Sequence, residues 1–181
     1  MDTRRVKADV HIALMARAPQ PGRAKTRLIP RLGAQGAADL HARLVERACR
    51  AMAATGLPAT LWCAPDTRHP FFTECAKKFG VALRAQPEGD LGARMAHVFA
   101  VADGPVLLMG SDCPTIEADL LLRCAGEFSR GARAIFLPAE DGGYGLVGLA
   151  APIPGIFRDM QWGTDGVMAA TRARLRASGI D

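Results

Sequence analysis

Short apolar runs, broken by polar and glycine- or proline-rich segments, alternate along this chain with longer stretches in which apolar residues recur every three or four positions. The runs at Val10–Ala16, Ala59–Ala64, Val81–Ala85, Pro105–Met109, Ala132–Leu137 and Tyr144–Leu149 are short and punctuated by turn formers, which predicts strands. Helical spacing predicts a long helix from about Gly33 to Thr55, with Leu40, Leu44, Val45, Ala48 and Met52 on its apolar stripe. Further helices are predicted at Pro70 to Phe79, closed by Gly80, at Asp90 to Val101, at Ile116 to Phe128 and at Gly166 to Ala177. Thr115 is the expected cap of the fourth helix, and Thr164 or Asp165 of the last. Strand and helix alternate until the Asp141-Gly142-Gly143 turn joins the last two strands. The order predicts a three-layer α/β/α sandwich around a Rossmann-like, mostly parallel sheet.

A chain of 181 residues suits one domain, 1–181, that buries about 70% of the surface its unfolded form exposes. No apolar run is long enough to span a bilayer, and the polar start Met1–Lys7 has no signal-peptide core, so the expected location is cytoplasmic. The five cysteines are an odd set without a C-x-x-C pair, which fits reduced thiols. Cys49 and Cys124 fall on apolar helix faces, and Cys113 adjoins Asp112 with no histidine near it in sequence to activate a thiolate. His11, His41, His69 and His97 are scattered and receive no chemistry.

The formal charge is +5, carried mostly by arginine, and points to an anionic partner. With a single tyrosine and no interleaving of basic and aromatic residues, that partner is expected to be a phosphorylated small molecule and not nucleic acid.

The apolar run Val106–Met109 stops at Gly110-Ser111-Asp112, so a buried strand delivers a carboxylate to the crevice where open α/β sheets bind ligands. Asp141 lies in a second acidic turn after another apolar run. Either acid alone could be a helix-start carboxylate or a turn former. Together, facing a basic loop, Asp112 and Asp141 suit Mg2+ or Mn2+, which take one or two carboxylates and leave other positions to water and phosphate. The loop Arg17–Leu28 supplies Lys25 and Arg27 as charges, Gly22 for close backbone approach, and Pro19 and Pro21 for shape, without Walker spacing. In the turn Gln86–Met95, Asp90 is placed to cap a helix and Arg94 to reach a ligand one turn inside it. Trp162 precedes the last helix, where it either packs or stacks on a base or sugar.

Taken in order, several segments resemble a bacterial family of uncharacterised proteins assigned to the glycosyltransferase-A, or nucleotide-diphospho-sugar transferase, superfamily. They are Ala16-Arg17-Ala18-Pro19 with Gly22-Arg23 and Lys25-Thr26-Arg27-Leu28; Gln86 with Gly89-Asp90-Leu91-Gly92 and Arg94-Met95; Gly110-Ser111-Asp112-Cys113-Pro114; Pro138 with Asp141-Gly142-Gly143-Tyr144; and Trp162-Gly163-Thr164. The resemblance implies a sheet that binds a nucleoside-diphosphate sugar or a nucleoside triphosphate, with a divalent metal bridging the phosphates to Asp112. Carried onto this chain, it puts Arg17, Gly22, Lys25, Arg27, Asp90, Arg94, Ser111, Tyr144 and Trp162 around the substrate, and Asp112 and Asp141 at the metal and the chemistry. The implied activity is glycosyl transfer to an unidentified acceptor. The alternatives are nucleotidyl transfer to a phosphorylated small molecule with release of pyrophosphate, and a nucleotide-binding module without catalysis. This chain departs from the family pattern at Gly145, where a second bulky residue usually follows Tyr144, and the glycine is expected to open the strand edge. Ser111-Asp112-Cys113 also offers one acid where many glycosyltransferases carry Asp-x-Asp.

Overall fold

The computed structural model describes residues 10–180; the polar start Met1–Lys7 lies outside the described residues. The strands are β1 (His11–Arg17), β2 (Ala59–Ala64), β3 (Ala82–Ala85), β4 (Val106–Gly110), β5 (Ala134–Pro138) and β6 (Tyr144–Leu149). The helices are α1 (Ile29–Ala54), α2 (Pro70–Phe79), α3 (Leu91–Ala100), α4 (Ala118–Ser129) and α5 (Val167–Ala177).

The six strands form one sheet in the order β3-β2-β1-β4-β6-β5. Strands β1 to β4 are mutually parallel, whereas β6 runs antiparallel to β4 and β5 antiparallel to β6. The fold is thus the expected α/β sandwich, with one reversed strand near its edge. Alternation along the strands feeds two cores. Ile12, Leu14, Leu107, Met109 and Leu146 pack toward α1, α2 and α4, where they meet Val45, Cys49, Phe72 and Leu121. Ala13, Leu108, Val147 and Leu149 pack toward α3 and α5 against Met95, Val98, Phe99 and Leu175. Each large apolar side chain so buried contributes about 1.5–3 kcal/mol.

Sequence punctuation fixes several ends. Pro70 opens α2, His69 caps it by accepting from the Phe71 amide, and Gly80 closes it in the left-handed conformation. Asp90 caps α3, accepting from the Ala93 amide at 2.7 Å. The long helix starts where expected, at Gly33, although helical residues also precede it. Backbone at Gly33 (φ 71°, ψ 167°) breaks it, so its continuous part begins after that residue. Its buried stripe is Ala37, Ala38, His41, Val45, Cys49 and Met52, while Leu40 and Leu44 are half-buried.

Two expected caps are corrected. Helix α4 starts at Ala118 and is preceded by Glu117, not capped by Thr115. The cause is tertiary: Arg47 of α1 donates to the Pro114 carbonyl at 2.8 Å and pairs with Glu117, drawing that segment onto α1. Neither Thr164 nor Asp165 caps α5, whose first residue follows Gly166. The Thr164 hydroxyl instead donates to the Gln161 carbonyl at 2.8 Å. Among the described residues no helix is long and apolar enough to cross a membrane.

Candidate functional site

The reversal of β6 assembles the site. Because β6 runs against β4, with Met109 opposite Leu146, the turn before Tyr144 lies beside the carboxyl end of β4. Asp112 and Asp141 therefore arrive from opposite chain directions at one cavity of about 380 Å3, which both line. Ser111, buried beneath, donates its hydroxyl to Asp112 Oδ1 at 3.1 Å. The Asp141 carboxylate accepts from the Gly143 amide at 3.1 Å, closing the turn on itself. That turn is docked on α5, since the Met168 amide donates to the Gly142 carbonyl at 2.8 Å.

Cys113 fills the gap expected at Gly145. A Cβ on Gly145 would lie 2.2 Å from the Cys113 sulfur, so the space left by the missing side chain holds a thiol and the strand edge is not open. Burial and, after it, the Asp112 and Asp141 carboxylates raise the pKa of that thiol, while Lys25 lowers it. All three charges thus act at one place, and the protonated form is favoured.

On the β1 side, the basic loop is anchored by the buried Ala18 and Ala24, with the Ala18 amide donating to the Ala64 carbonyl at 2.7 Å. Gly22 turns the loop with φ 77°, a conformation that favours glycine, and does not line the cavity beside Asp141. Lys25 stands in the left-handed region at φ 49°, an uncommon conformation for a side-chain-bearing residue that marks a constrained position. Its ammonium reaches Asp112 Oδ1 at 2.7 Å, with the Lys25 side chain 18% and the Asp112 side chain 66% exposed. Arg17, Arg23, Lys25, Thr26, Arg27, His41 and Asp112 line a second cavity of about 510 Å3. Four permanent cations around one concavity are a binding surface for a polyanion.

Asp112 belongs to both cavities. His41 is the residue that sequence reasoning passed over: it is 6% exposed and its Nε2 donates to the Arg17 carbonyl at 2.8 Å, tying α1 to the start of the basic loop. The available signal was a histidine in step with Ala38 and Val45 on the buried helix face.

The turn before α3 bonds mainly to its own surroundings. Gln86 donates to the Ala16 and Trp62 carbonyls at 3.1 and 2.9 Å, satisfying acceptors at the ends of β1 and β2. Arg94 donates to the Gly89 carbonyl at 2.9 Å and toward Gln86 Oε1 at 3.4 Å, so the structure turns it to its own loop. Asp90 and Arg94 line neither of the two cavities that meet at Asp112. Tyr144 and Trp162 line the Asp141 cavity and belong to an aromatic row, Phe136–Tyr144–Trp162–Phe157–Phe99, with successive centroids 5.1 to 6.4 Å apart. Packing is therefore one established role of Trp162. Buried Tyr144 Oη and Trp162 Nε1 have no hydrogen-bond partner.

Burial pushes the Tyr144 phenol up to about 12, against opposing effects of Thr171 and Arg174. The Thr171 hydroxyl donates its own proton to the Val167 carbonyl at 2.8 Å. Because the chain has one tyrosine, phenolate absorbance reads this site alone. The expected midpoint is near 12 in the folded protein and about 10 in denaturant. The associated stability is complete below the unfolded value and is lost as pH rises toward the folded one. A native midpoint equal to the denatured one would contradict this burial.

A family model described as "Uncharacterized protein conserved in bacteria (DUF2064)" matches residues 47–164, and the chain belongs to that family. The match contains Asp112, Asp141 and Trp162; the basic loop precedes it. Among solved structures, the chain is 27% identical to a "putative nucleotide-diphospho-sugar transferase" from Desulfovibrio desulfuricans G20, with a TM-score of 0.84 over 96% of this chain and 78% of that one. A 4-diphosphocytidyl-2C-methyl-D-erythritolsynthase from Anaerococcus prevotii DSM 20548 shares the fold at 10% identity and a TM-score of 0.59, over 97% and 86% of the two chains. A cytidylyltransferase from Leptospira borgpetersenii serovar Hardjo-bovis (strain JB197) does so at 11% and 0.60, over 96% and 74%. No curated protein matches the sequence.

Proposed function

We propose that this protein is a transferase that binds a nucleoside-diphosphate sugar and passes its glycosyl group to an acceptor. The observation that carries the reading is the meeting of a cation-lined cavity with a carboxylate-bearing one at Asp112. Similarity to the Desulfovibrio protein supports the donor class. Arg17, Arg23, Lys25 and Arg27 grip the diphosphate, and Lys25, already held at Asp112, stands where the departing phosphate gathers charge.

Among the described residues no three His, Cys, Asp or Glu side chains converge as a complete metal cage. Two carboxylates on one cavity do fit an ion that keeps its remaining positions for phosphate and water. Asp112 and Asp141 would hold Mg2+ or Mn2+, which would supply charge neutralisation at the diphosphate. In the transfer, an acceptor oxygen bonds to the anomeric carbon. The bond from that carbon to the phosphate oxygen breaks, its electron pair leaves on the nucleoside diphosphate, and the acceptor proton passes to water at the cavity mouth. The protein contributes orientation and charge more than covalent chemistry.

UDP or GDP at a hundred times its dissociation constant, with Mn2+, adds about 2.7 kcal/mol to the folded state, raising Tm by roughly 5–10 °C. Asp112→Asn, which keeps side-chain size and removes charge, is expected to weaken Mn2+-dependent binding at least about tenfold and to leave the unliganded Tm within about 3 °C. Equal calorimetric affinities for variant and parent would remove the metal assignment. The cluster of four cations also favours a second reading, nucleotidyl transfer from a triphosphate. Product analysis separates the two: a free nucleoside diphosphate marks glycosyl transfer, and pyrophosphate marks the other.

A further inference from the structure

The two cavities that meet at Asp112 differ in charge. All the basic side chains lining either cavity line the one on the β1 side. The cavity beside Asp141 is lined by no lysine, arginine or histidine, and its ionisable groups are Asp112, Cys113, Asp141 and Tyr144. Thr164 adds one hydroxyl, which donates to the Gln161 carbonyl at 2.8 Å, and the walls are otherwise mostly apolar: Met15, Leu91, Met95, Leu108, Val147 and Trp162. Leu91 is 44% exposed, so apolar surface continues to the rim.

An anionic ligand entering this space would give up water for two carboxylates and hydrocarbon, while the Lys25 ammonium lines the other cavity and is already paired with Asp112 at 2.7 Å. A divalent ion held by the carboxylates would have its open positions taken by the donor's diphosphate and water, so it would offer no charge to an acceptor. A polyhydroxylated ligand fares poorly for another reason, since most of its hydroxyls would face methionine, leucine and valine side chains without partners.

We propose that the acceptor is an uncharged or cationic molecule with an aromatic or aliphatic body and a single attacking hydroxyl, and not a phosphate ester, a carboxylate or a sugar. This deepens the transferase reading and rests on it for the word acceptor. The charge preference of the cavity is independent of it. In the step so defined, the acceptor oxygen bonds to the anomeric carbon, the nucleoside diphosphate leaves with the electron pair, and the hydroxyl proton goes to water. A volume of about 380 Å3 accommodates a ring with a short chain.

The test uses the whole protein and matched probes: 2-phenylethanol, 2-phenylethylamine, 3-phenylpropionate and phenethyl phosphate, followed by NMR titration with the Trp162 indole signal as reporter. The alcohol and the amine are expected to shift that signal, with the two anions at least about tenfold weaker. Leu91→Asp, at an exposed position the fold tolerates, is expected to abolish the alcohol's effect. Equal or tighter binding of either anion overturns the proposal, as does alcohol binding unchanged in Leu91→Asp or no shift with any probe. Calorimetry of the same protein with UDP and Mn2+ keeps the two readings apart. Absence of nucleotide binding together with the expected probe order sinks the transferase assignment and sustains the cavity's preference.

Discussion

Replacing Lys25 by glycine is expected to lower the proposed affinity for nucleoside diphosphates by about tenfold to a hundredfold, for uridine and guanosine forms alike, while leaving the fold about as stable as the parent. The affinity loss follows from removing a charge-assisted contact, which contributes roughly 1.5–3 kcal/mol. The stability balance follows from φ 49° at Lys25. A non-glycine residue there carries about 1 kcal/mol of strain that glycine relieves, and glycine's greater unfolded freedom costs about as much in return. The Lys25–Asp112 pair, with Asp112 66% exposed, contributes at most about 1 kcal/mol. Calorimetry and thermal denaturation on one variant therefore separate a grip on phosphate from a structural role. Loss for one base only would move the loop to the nucleobase, and no loss would return it to solvent.

Gly142→Ala is expected to produce the largest fall in stability. At φ 82° an alanine is strained, and its Cβ would lie 2.2 Å from the Asp165 carbonyl oxygen and 2.3 Å from the Asp165 Cα. Backbone cannot rotate aside as a side chain can. The cost is about 3 kcal/mol or more, a drop of roughly 6–12 °C in Tm for a chain of this size. Gly22→Ala is the control: its φ of 77° is similar, but a Cβ there meets nothing within 4 Å. That change should lower Tm by only about 2–4 °C. Similar losses for the two would show that strain, and not the contact with Asp165, decides.

What could be read in the sequence divides by range. Strand β2 begins after Pro58, β6 begins after Gly143, and helix α2 begins at Pro70 and is closed by Gly80, because those signals act within a few residues. The carboxylates at Asp112 and Asp141 were legible for the same reason, each following a short apolar run. Thr115 failed as a cap because Arg47, distant in sequence, recruits Pro114 and Glu117. His41 could be read as a buried-face position but not for its role, because the carbonyl it bonds lies 24 residues away. The apolar cavity was equally hidden, since Met15, Leu91, Leu108 and Val147 come from β1, α3, β4 and β6 and become neighbours only in the folded sheet. Cys113 shows the limit of reading one position at a time. The absent side chain at Gly145 reads as a gap, and the thiol just past the end of the neighbouring strand β4 closes it.

The single shared wall residue has a consequence for how such a protein can change over generations. The cations that line one cavity lie in a short contiguous segment, Arg17 to Arg27, whereas the apolar lining of the other is dispersed over separate elements; only Asp112 is common to both. Replacement of that one segment can therefore alter the charge and shape of the basic cavity without disturbing the neighbouring chamber, and mutations scattered along Leu91, Met95 and Val147 can retune the chamber beside an unaltered basic loop. Asp112 is where the two histories must agree, and a lineage can alter either cavity while keeping the other.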